Sequence, residues 1–345
     1  MTKRTKSIRS LLLLVGIVAA GFSLPAVAAQ AGKSPVKVFI LAGQSNMEGA
    51  GAVNASAKTR NGGQGTLQYL VKAPATAERF KHTVDAGGKW VVRDDVWIWF
   101  LDRKGGLTVG YGAKSDRIGP EFQFGHFMGD HLDNQVLLIK TAWGGKSLFK
   151  DFRPPSSGGT VGEFYKLMVE DIHKALDNMG KNFPDLAGRR YEIAGFVWMQ
   201  GWNDMCDPKA IPEYDKNLVN LVKDLRREFK SPNLPVVIGE LGNGGPEASG
   251  NMAAFRDAQK RGAERINHAA FVITHDFWRD PEESPNVDHG HHWCGNAESY
   301  FLIGDALGQG IIKVIEQKDS KSKDRMPPTA ASTPLPSVLL RAFVP

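Results

Sequence analysis

The chain of 345 residues is 42% hydrophobic and 23% charged, with 38 Gly and 19 Pro, a balance that excludes fibrous, collagen-like and disordered classes. Its formal charge is +6, but four of the cations, Lys3, Arg4, Lys6 and Arg9, lie in a leader without acids, so the remainder carries +2. That remainder has no basic footprint for nucleic acid.

The leader has a basic start, an apolar run at 11–20, a break at Pro25 and the small residues Ala26-Val27-Ala28. These are the parts of a secretory signal peptide, so residues 1–28 are expected to be removed and the product to be secreted or periplasmic. The apolar run is shorter than the roughly 20 residues of a membrane span. No later stretch is apolar enough to cross a bilayer, and no membrane contact is expected once the leader is cut. Cys206 and Cys294, the two cysteines of the chain, allow one bridge in an oxidising compartment or two unpaired thiols.

Beyond the leader, β-branched runs alternate with helical periods, which is the pattern of a parallel sheet covered by helices on both faces. Five strands are expected, at 36–42, 136–142, 193–199, 235–241 and 270–276. Between the first and second lies an insertion, 50–118, with Trp90, Trp97 and Trp99. It is too long for a plain connection. Its VVRDDVWIWF segment alternates as a hairpin strand does, and a side wall or lid over the ligand crevice, or a flap packed on the sheet edge, fits that pattern. A helix is expected near Glu121 to His131. The next has Phe164, Leu167, Met168, Ile172, Leu176 and Met179 on one face, with Gly180 as its stop. Another carries Tyr214, Leu218, Leu221, Val222, Leu225 and Phe229, and the last, about 297–315, presents Phe301, Leu307, Ile311 and Val314. These stripes are core faces. From 317 to 345 the chain turns to Lys, Asp, Ser and Pro and reads as a flexible tail, which leaves one domain at 29–316.

In an open parallel sheet the ligand crevice lies beyond the carboxyl ends of the strands, and four loops at that edge carry chemistry. The first strand runs into Gly43-Gln44-Ser45-Asn46-Met47-Glu48-Gly49, which sets the hydroxyl of Ser45 on the turn, as a nucleophile or as a helix cap. After the last strand, Asp288-His289-Gly290-His291-His292 offers imidazoles as a general base, with Asp288 and Asp276 as nearby carboxylates to hold the ring and stabilise its cation. The loops Ala142-Trp143-Gly144-Gly145-Lys146 and Gln200-Gly201-Trp202-Asn203-Asp204 offer backbone and amide donors for an oxyanion. Together they are the complementary parts of one acyl-transfer site.

In their order, a Gly-x-Ser block, a Gly loop, a Gly-x-Asn-Asp block and a late His, these loops resemble those of the SGNH hydrolases. The strings FILAGQSNMEG, KTAWGGKSL, GFVWMQGWND and HHWCGNAESYFLIGDALG resemble more specifically the sialate O-acetylesterase-like branch that includes family 6 carbohydrate esterases, over about 36–316. The resemblance implies a flavodoxin-like three-layer α/β/α fold on a five-stranded parallel sheet. It also implies no metal or other cofactor, and hydrolysis of small acyl esters, above all O-acetyl groups, on a carbohydrate substrate. It makes Ser45 the nucleophile, and places the oxyanion hole on the backbone N–H groups of Ser45 and Gly144 and the side chain of Asn203. Related members have Gln-Gly-Glu at the third block, so Gln200 stands as an alternative donor.

Two registers compete at the late histidines. An Asp three residues before the His selects His291 with Asp288; the string that follows, with a small residue five positions on at Ala297, selects His292, which is favoured because it spans more residues. Asp288 is its expected acid, with Asp276 as the alternative. Cys206 follows the Asn203 loop and Cys294 follows His292, so a bridge between them would pin two loops of the site together. Two other classes compete with the hydrolase. One is a metal site on Asp288, His289, His291 and His292, disfavoured by its crowded spacing. The other is a glycan-binding protein on the same fold that uses the insertion's aromatics as platforms. Neither the particular sugar nor the oligomeric state is written in these motifs.

Overall fold

The structure, a computed structural model, describes residues 34–323. The expected signal peptide and all of the expected tail beyond 323 lie outside the described residues. All five expected strands form: β1 Val36–Gly43, β4 Val136–Ala142, β5 Tyr191–Met199, β6 Val236–Gly239 and β7 Ala269–Val272. Among the described residues the sheet has seven strands rather than five, because the insertion contributes a hairpin, β2 Val96–Phe100 and β3 Arg103–Gly106. Strand β2 pairs in parallel with β4, and β3 closes the edge antiparallel to β2. The full order is β3-β2-β4-β1-β5-β6-β7. Its last five members have the order of a flavodoxin-like doubly wound sheet, in which the chain leaves β1 toward one side and later returns to the other. The switch point lies between β1 and β5, and loops at their carboxyl ends open into a common crevice there.

The strands are nearly continuous apolar runs because both faces are covered. Val36, Val38, Ile40, Leu137, Ile139, Phe196, Trp198, Val236 and Ile238 pack against α3 Glu163–Asp177, α5 Ile211–Glu228 and α6 Gly250–Glu264. The alternate residues Phe39, Leu41, Val136, Leu138, Val197, Met199 and Val237 face α2 Glu121–His131 and α7 Ala297–Lys323. That period of two divides one sequence between two cores, each fully buried aliphatic or aromatic side chain contributing about 1.5–3 kcal/mol.

The helical stripes hold with local exceptions. Met168, Ile172 and Leu176 are buried in α3, but Leu167 is 37% exposed. The helix ends at Asp177, and Gly180 sits inside a further turn, Met179–Asn182, instead of stopping the first. Helix α7 continues past residue 315 to Lys323, so the first residues of the expected tail, 317–323, are helical, because a helix once nucleated extends at little cost. In the insertion, Trp99 is buried in the core, the Trp97 indole donates to Gln135 at 3.0 Å, and Trp90 packs against a small cluster that includes Phe80 and Phe301. These three tryptophans pack into the protein, while Tyr69 is exposed; the segment extends the sheet edge.

Candidate active site

Strand β1 ends at Gly43, where φ is +156° and a Cβ would lie 2.0 Å from the carbonyl oxygen of Met199 on β5. Only glycine lets the two strands converge so closely at the switch point. The chain then makes a single helical turn, α1 Ser45–Glu48, with Gln44 at its N-cap. Ser45 opens that turn, so its N–H has no carbonyl partner within the helix. Gly144, on the loop after β4, faces it: a Cβ on Gly144 would sit 3.7 Å from Ser45 Cβ and 3.0 Å from Glu48 Oε2. The Trp143 N–H donates to the Gly43 carbonyl at 3.2 Å, which seats this Gly loop on the serine turn. Burial raises the pKa of Glu48 against the opposing pull of Lys140, Arg103 and the Gly144 N–H. Below the turn, the fully buried Lys140 donates to the carbonyls of Glu48 and Tyr111, each at 2.7 Å, and to Glu121 Oε2 at 2.6 Å.

Gln44, only 2% exposed, joins this turn to the loop after β5. Its Oε1 accepts from Gln200 Nε2 and the Gly201 N–H, both at 3.1 Å, and its Nε2 donates to Asn203 Oδ1 at 2.9 Å. That last bond fixes the Asn203 amide with its NH2 toward the Gly loop, where it donates to the Gly145 carbonyl at 3.1 Å. The second hydrogen of this group remains for a ligand. Gln200 is spent otherwise. Besides Gln44, its Nε2 meets the Lys146 carbonyl at 3.0 Å and Asp204 Oδ2 at 2.6 Å, and its Oε1 accepts from Tyr214. Of the two amides considered as oxyanion donors, Asn203 is the one with donor capacity to spare. Asp204, opening α4 Trp202–Met205 on the buried side, accepts from the Leu148 and Phe149 N–H groups at 2.8 Å, and burial pushes its pKa up to about 6.

The histidine loop reaches the same place. Asn46, next to Ser45 and 2% exposed, donates to the His291 carbonyl at 3.1 Å and to Asn243 Oδ1 at 3.3 Å, and accepts from the Tyr300 hydroxyl at 2.9 Å. Asn243 in turn donates to the Gly290 carbonyl at 3.0 Å. Beyond His292 the backbone takes the left-handed conformation at two successive non-glycine residues, Trp293 (φ 54°) and Cys294 (φ 50°), held there because the Trp293 ring is wholly buried beside Trp278. The ring of His292 is half-buried. Burial, aided by His291 and His289, pushes its pKa down to about 4. It is therefore a neutral imidazole at pH 7, able to accept a proton. His291 lies against it with ring centroids 4.2 Å apart and leans on Trp202 at 5.8 Å.

Serine turn, Gly loop, Asn203 loop and histidine loop thus share one edge of the sheet. Among the described residues no hydrogen bond joins the Ser45 hydroxyl to either imidazole. Asp288 is exposed and makes no hydrogen bond or ion pair with His292 or His291, and Asp276 lies 3.6 Å from His275 instead. Near this edge an imidazole that holds a carboxylate is His275, whose Nδ1 is 2.8 Å from the buried Glu240 Oε2. The two thiols are free, Cys206 at the surface and Cys294 buried, so the bridge does not form. Among the described residues no group of three or more His, Cys, Asp or Glu side chains is arranged to hold a metal. Sequence reasoning passed over Gln44, Asn46 and Asn243; the first two flank Ser45, and their amides at a strand's carboxyl end were the available signal.

Residues 35–309 match the family model described as carbohydrate esterase, sialic acid-specific acetylesterase. A probable carbohydrate esterase of Arabidopsis thaliana, At4g34215, is 23% identical over 232 residues, 65% of this chain and 75% of the plant protein. The X-ray structure of At4g34215 superposes with a TM-score of 0.54 at 19% identity, covering 81% of this chain and 99% of the other, which shows a shared fold. A carbohydrate acetylesterase from Xanthomonas citri, XAC1771, aligns at 14% identity and a TM-score of 0.47, over 79% of this chain and 57% of its own. With the family model spanning nearly all of the described residues, the chain belongs to the carbohydrate esterases of the sialic acid-specific acetylesterase family.

Proposed function

We propose that the protein is a serine esterase that removes O-acetyl groups from carbohydrates through an acyl-enzyme, in the manner of SGNH hydrolases. The observation that carries this reading is the bond from Asn46 to the His291 carbonyl, which brings the loop with the hydroxyl and the loop with the imidazoles together from opposite ends of the chain. His292, neutral at pH 7, takes the proton of Ser45 as its Oγ attacks the ester carbonyl. The negative charge that develops on the carbonyl oxygen is met by the Ser45 N–H, by Asn203 Nδ2 and, in exchange for the Glu48 carboxylate, by the Gly144 N–H. The imidazolium returns its proton to the departing sugar hydroxyl. Water, deprotonated by the same ring, then releases acetate and restores Ser45. Asp288 is the carboxylate of the loop assigned to stabilise the imidazolium. It does so across solvent, and its contribution is correspondingly small.

The signal-peptide features of residues 1–28 support an exported enzyme that meets acetylated glycans outside the cytoplasm. The deciding experiment compares acetate release from acetylated xylan, O-acetylated sialic acid and 4-nitrophenyl acetate by the protein and its Ser45→Ala variant. The variant is expected to lose on the order of 10⁴-fold or more in kcat while still binding the glycan. Equal turnover by the two proteins removes Ser45 as the nucleophile.

A further inference from the structure

We propose that Asn243 is a positioning residue for this esterase reaction, the clamp that sets the histidine loop in register with the serine turn. The inference rests on the esterase reading and adds a residue from a fifth loop, the one after β6. That loop is fastened from below. Arg256 on α6, itself buried, donates to the carbonyls of Leu241 at 2.8 Å, Gly245 at 2.9 Å and Asn243 at 3.2 Å, while Gln259 Oε1 accepts from the Leu241 N–H at 2.8 Å. From this anchored base the Asn243 side chain, 4% exposed, reaches in two directions. Its Oδ1 accepts from Asn46 beside the nucleophile, and its Nδ2 donates to the Gly290 carbonyl, two residues before His292.

The side-chain chemistry required here is narrow. One donor and one acceptor must stand on a short, neutral, planar group. Aspartate has the shape but no donor when ionised, and leucine has neither function. Asn46 is satisfied on all sides by Asn243, His291 and Tyr300, and a fully satisfied buried network confers rigidity rather than adaptability. The strained residues Trp293 and Cys294 adjoin the clamped segment, so the imidazole is held between a fixed carbonyl pair on one side and a constrained backbone on the other. Asn243 is buried behind the loop and touches no reacting atom. Its effect on the reaction is through the placement of His292.

The test uses the full chain with 4-nitrophenyl acetate as probe, and follows kcat, KM, thermal unfolding and amide hydrogen exchange in Asn243→Ala and Asn243→Asp. In Asn243→Ala, kcat is expected to fall between about 10- and 100-fold, the cost of displacing a catalytic group by about an ångström, with KM within about threefold. Exchange protection should drop in the segment 289–292 and persist in β1 and β5. In Asn243→Asp, the ratio of its kcat to that of the parent should rise as the pH is lowered from 7 to 5, because a protonated aspartic acid regains the donor. The titratable and charged neighbours, His291, His292 and Tyr300 above and Arg256 and Glu240 below, are common to both proteins; an ionised aspartate would also raise the pKa of the nearby imidazoles, which lowers the ratio as the pH falls and so opposes the expected rise. An unchanged kcat in Asn243→Ala overturns the proposal, as does a loss of protection shared by the core strands, which marks a residue needed only for folding. If the parent releases no acetate from any ester, the esterase reading fails; retention of protection at 289–292 in Asn243→Ala would then sink the clamp on separate grounds.

Discussion

Asn46 donates to the carbonyl oxygen of His291 at 3.1 Å across 245 residues of chain, so the residue after the proposed nucleophile is bonded to the residue before the proposed base. Neither contact partner is the reacting group itself. The serine and the imidazole are each placed by a neighbour whose side chain or carbonyl is buried, which leaves the hydroxyl and the ring free to face a substrate.

The oxyanion assignment separates two amides. Asn203→Ala should lower kcat by about 10²–10³-fold, as removal of one oxyanion donor does, with little change in KM and a loss of about 1–3 kcal/mol in stability, because the buried Gln44 Nε2 loses its acceptor. Gln200→Leu should act through the fold, unsettling Gln44, Asp204 and Tyr214 together. Steady-state kinetics beside thermal melts distinguish the two, and a large KM effect for Asn203→Ala would place its amide on the sugar rather than on the oxyanion.

The acid limb of activity should report His292. The ring must be neutral to take the serine proton, and its pKa is pushed down to about 4. The rate should therefore stay level from neutral pH down toward 5 and fall below an apparent pKa near 4. A limb centred near 6.5, the ordinary imidazole value, would point to a solvated histidine as the base.

Acid should also loosen the fold through buried imidazoles. His126 is 1% exposed, neither ring nitrogen has a partner, and burial, with His82 and Arg93 adding, drives its pKa down to about 3. A depressed histidine pKa means that the unfolded chain binds the proton more readily. The stability contributed by the neutral ring is complete above the unfolded value, 6.5, and is lost as the pH falls toward 3. His126→Leu removes an unpaired buried polar group, so it should flatten the dependence of urea midpoints on pH below 6.5 and leave stability at pH 7 unchanged or improved by about 1 kcal/mol. A steeper acid loss in the variant would contradict this.

Lys140 and Glu121 form a wholly buried pair, 2.6 Å apart. Lys140→Met strands the Glu121 carboxylate and leaves the Glu48 and Tyr111 carbonyls without their donor. A loss of about 3–5 kcal/mol in chemical denaturation is expected, as for other buried pairs broken on one side. The double replacement with Glu121→Leu should recover part of it.

Much of this was legible in the residues. The five parallel strands announced themselves as apolar runs closed by polar loops, and the strings around Ser45, Gly144, Asn203 and His292 pointed to one edge of the sheet. The seventh-strand count was hidden because Val96–Phe100 reads equally well as a free hairpin; its parallel pairing with Val136–Ala142 depends on a neighbour 40 residues away. Leu167 obeyed the helical period yet faces solvent, since a stripe drawn from sequence does not know where the sheet it covers ends. The choice between Gln200 and Asn203 depended on which amide was already consumed, and the partner of each carboxylate depended on loop paths that residue type alone does not set. Asp276 and Glu240 both converge on His275, a meeting between the loops after β6 and β7 for which no spacing rule exists.

Gln44 accepts the Gly201 N–H on one side while Asn46 holds His291 on the other, and those partners are synthesised long after the serine turn. No esterase activity can appear on a nascent chain until the last helix has emerged and docked. Recovery of turnover during refolding would accordingly trail the burial of tryptophan.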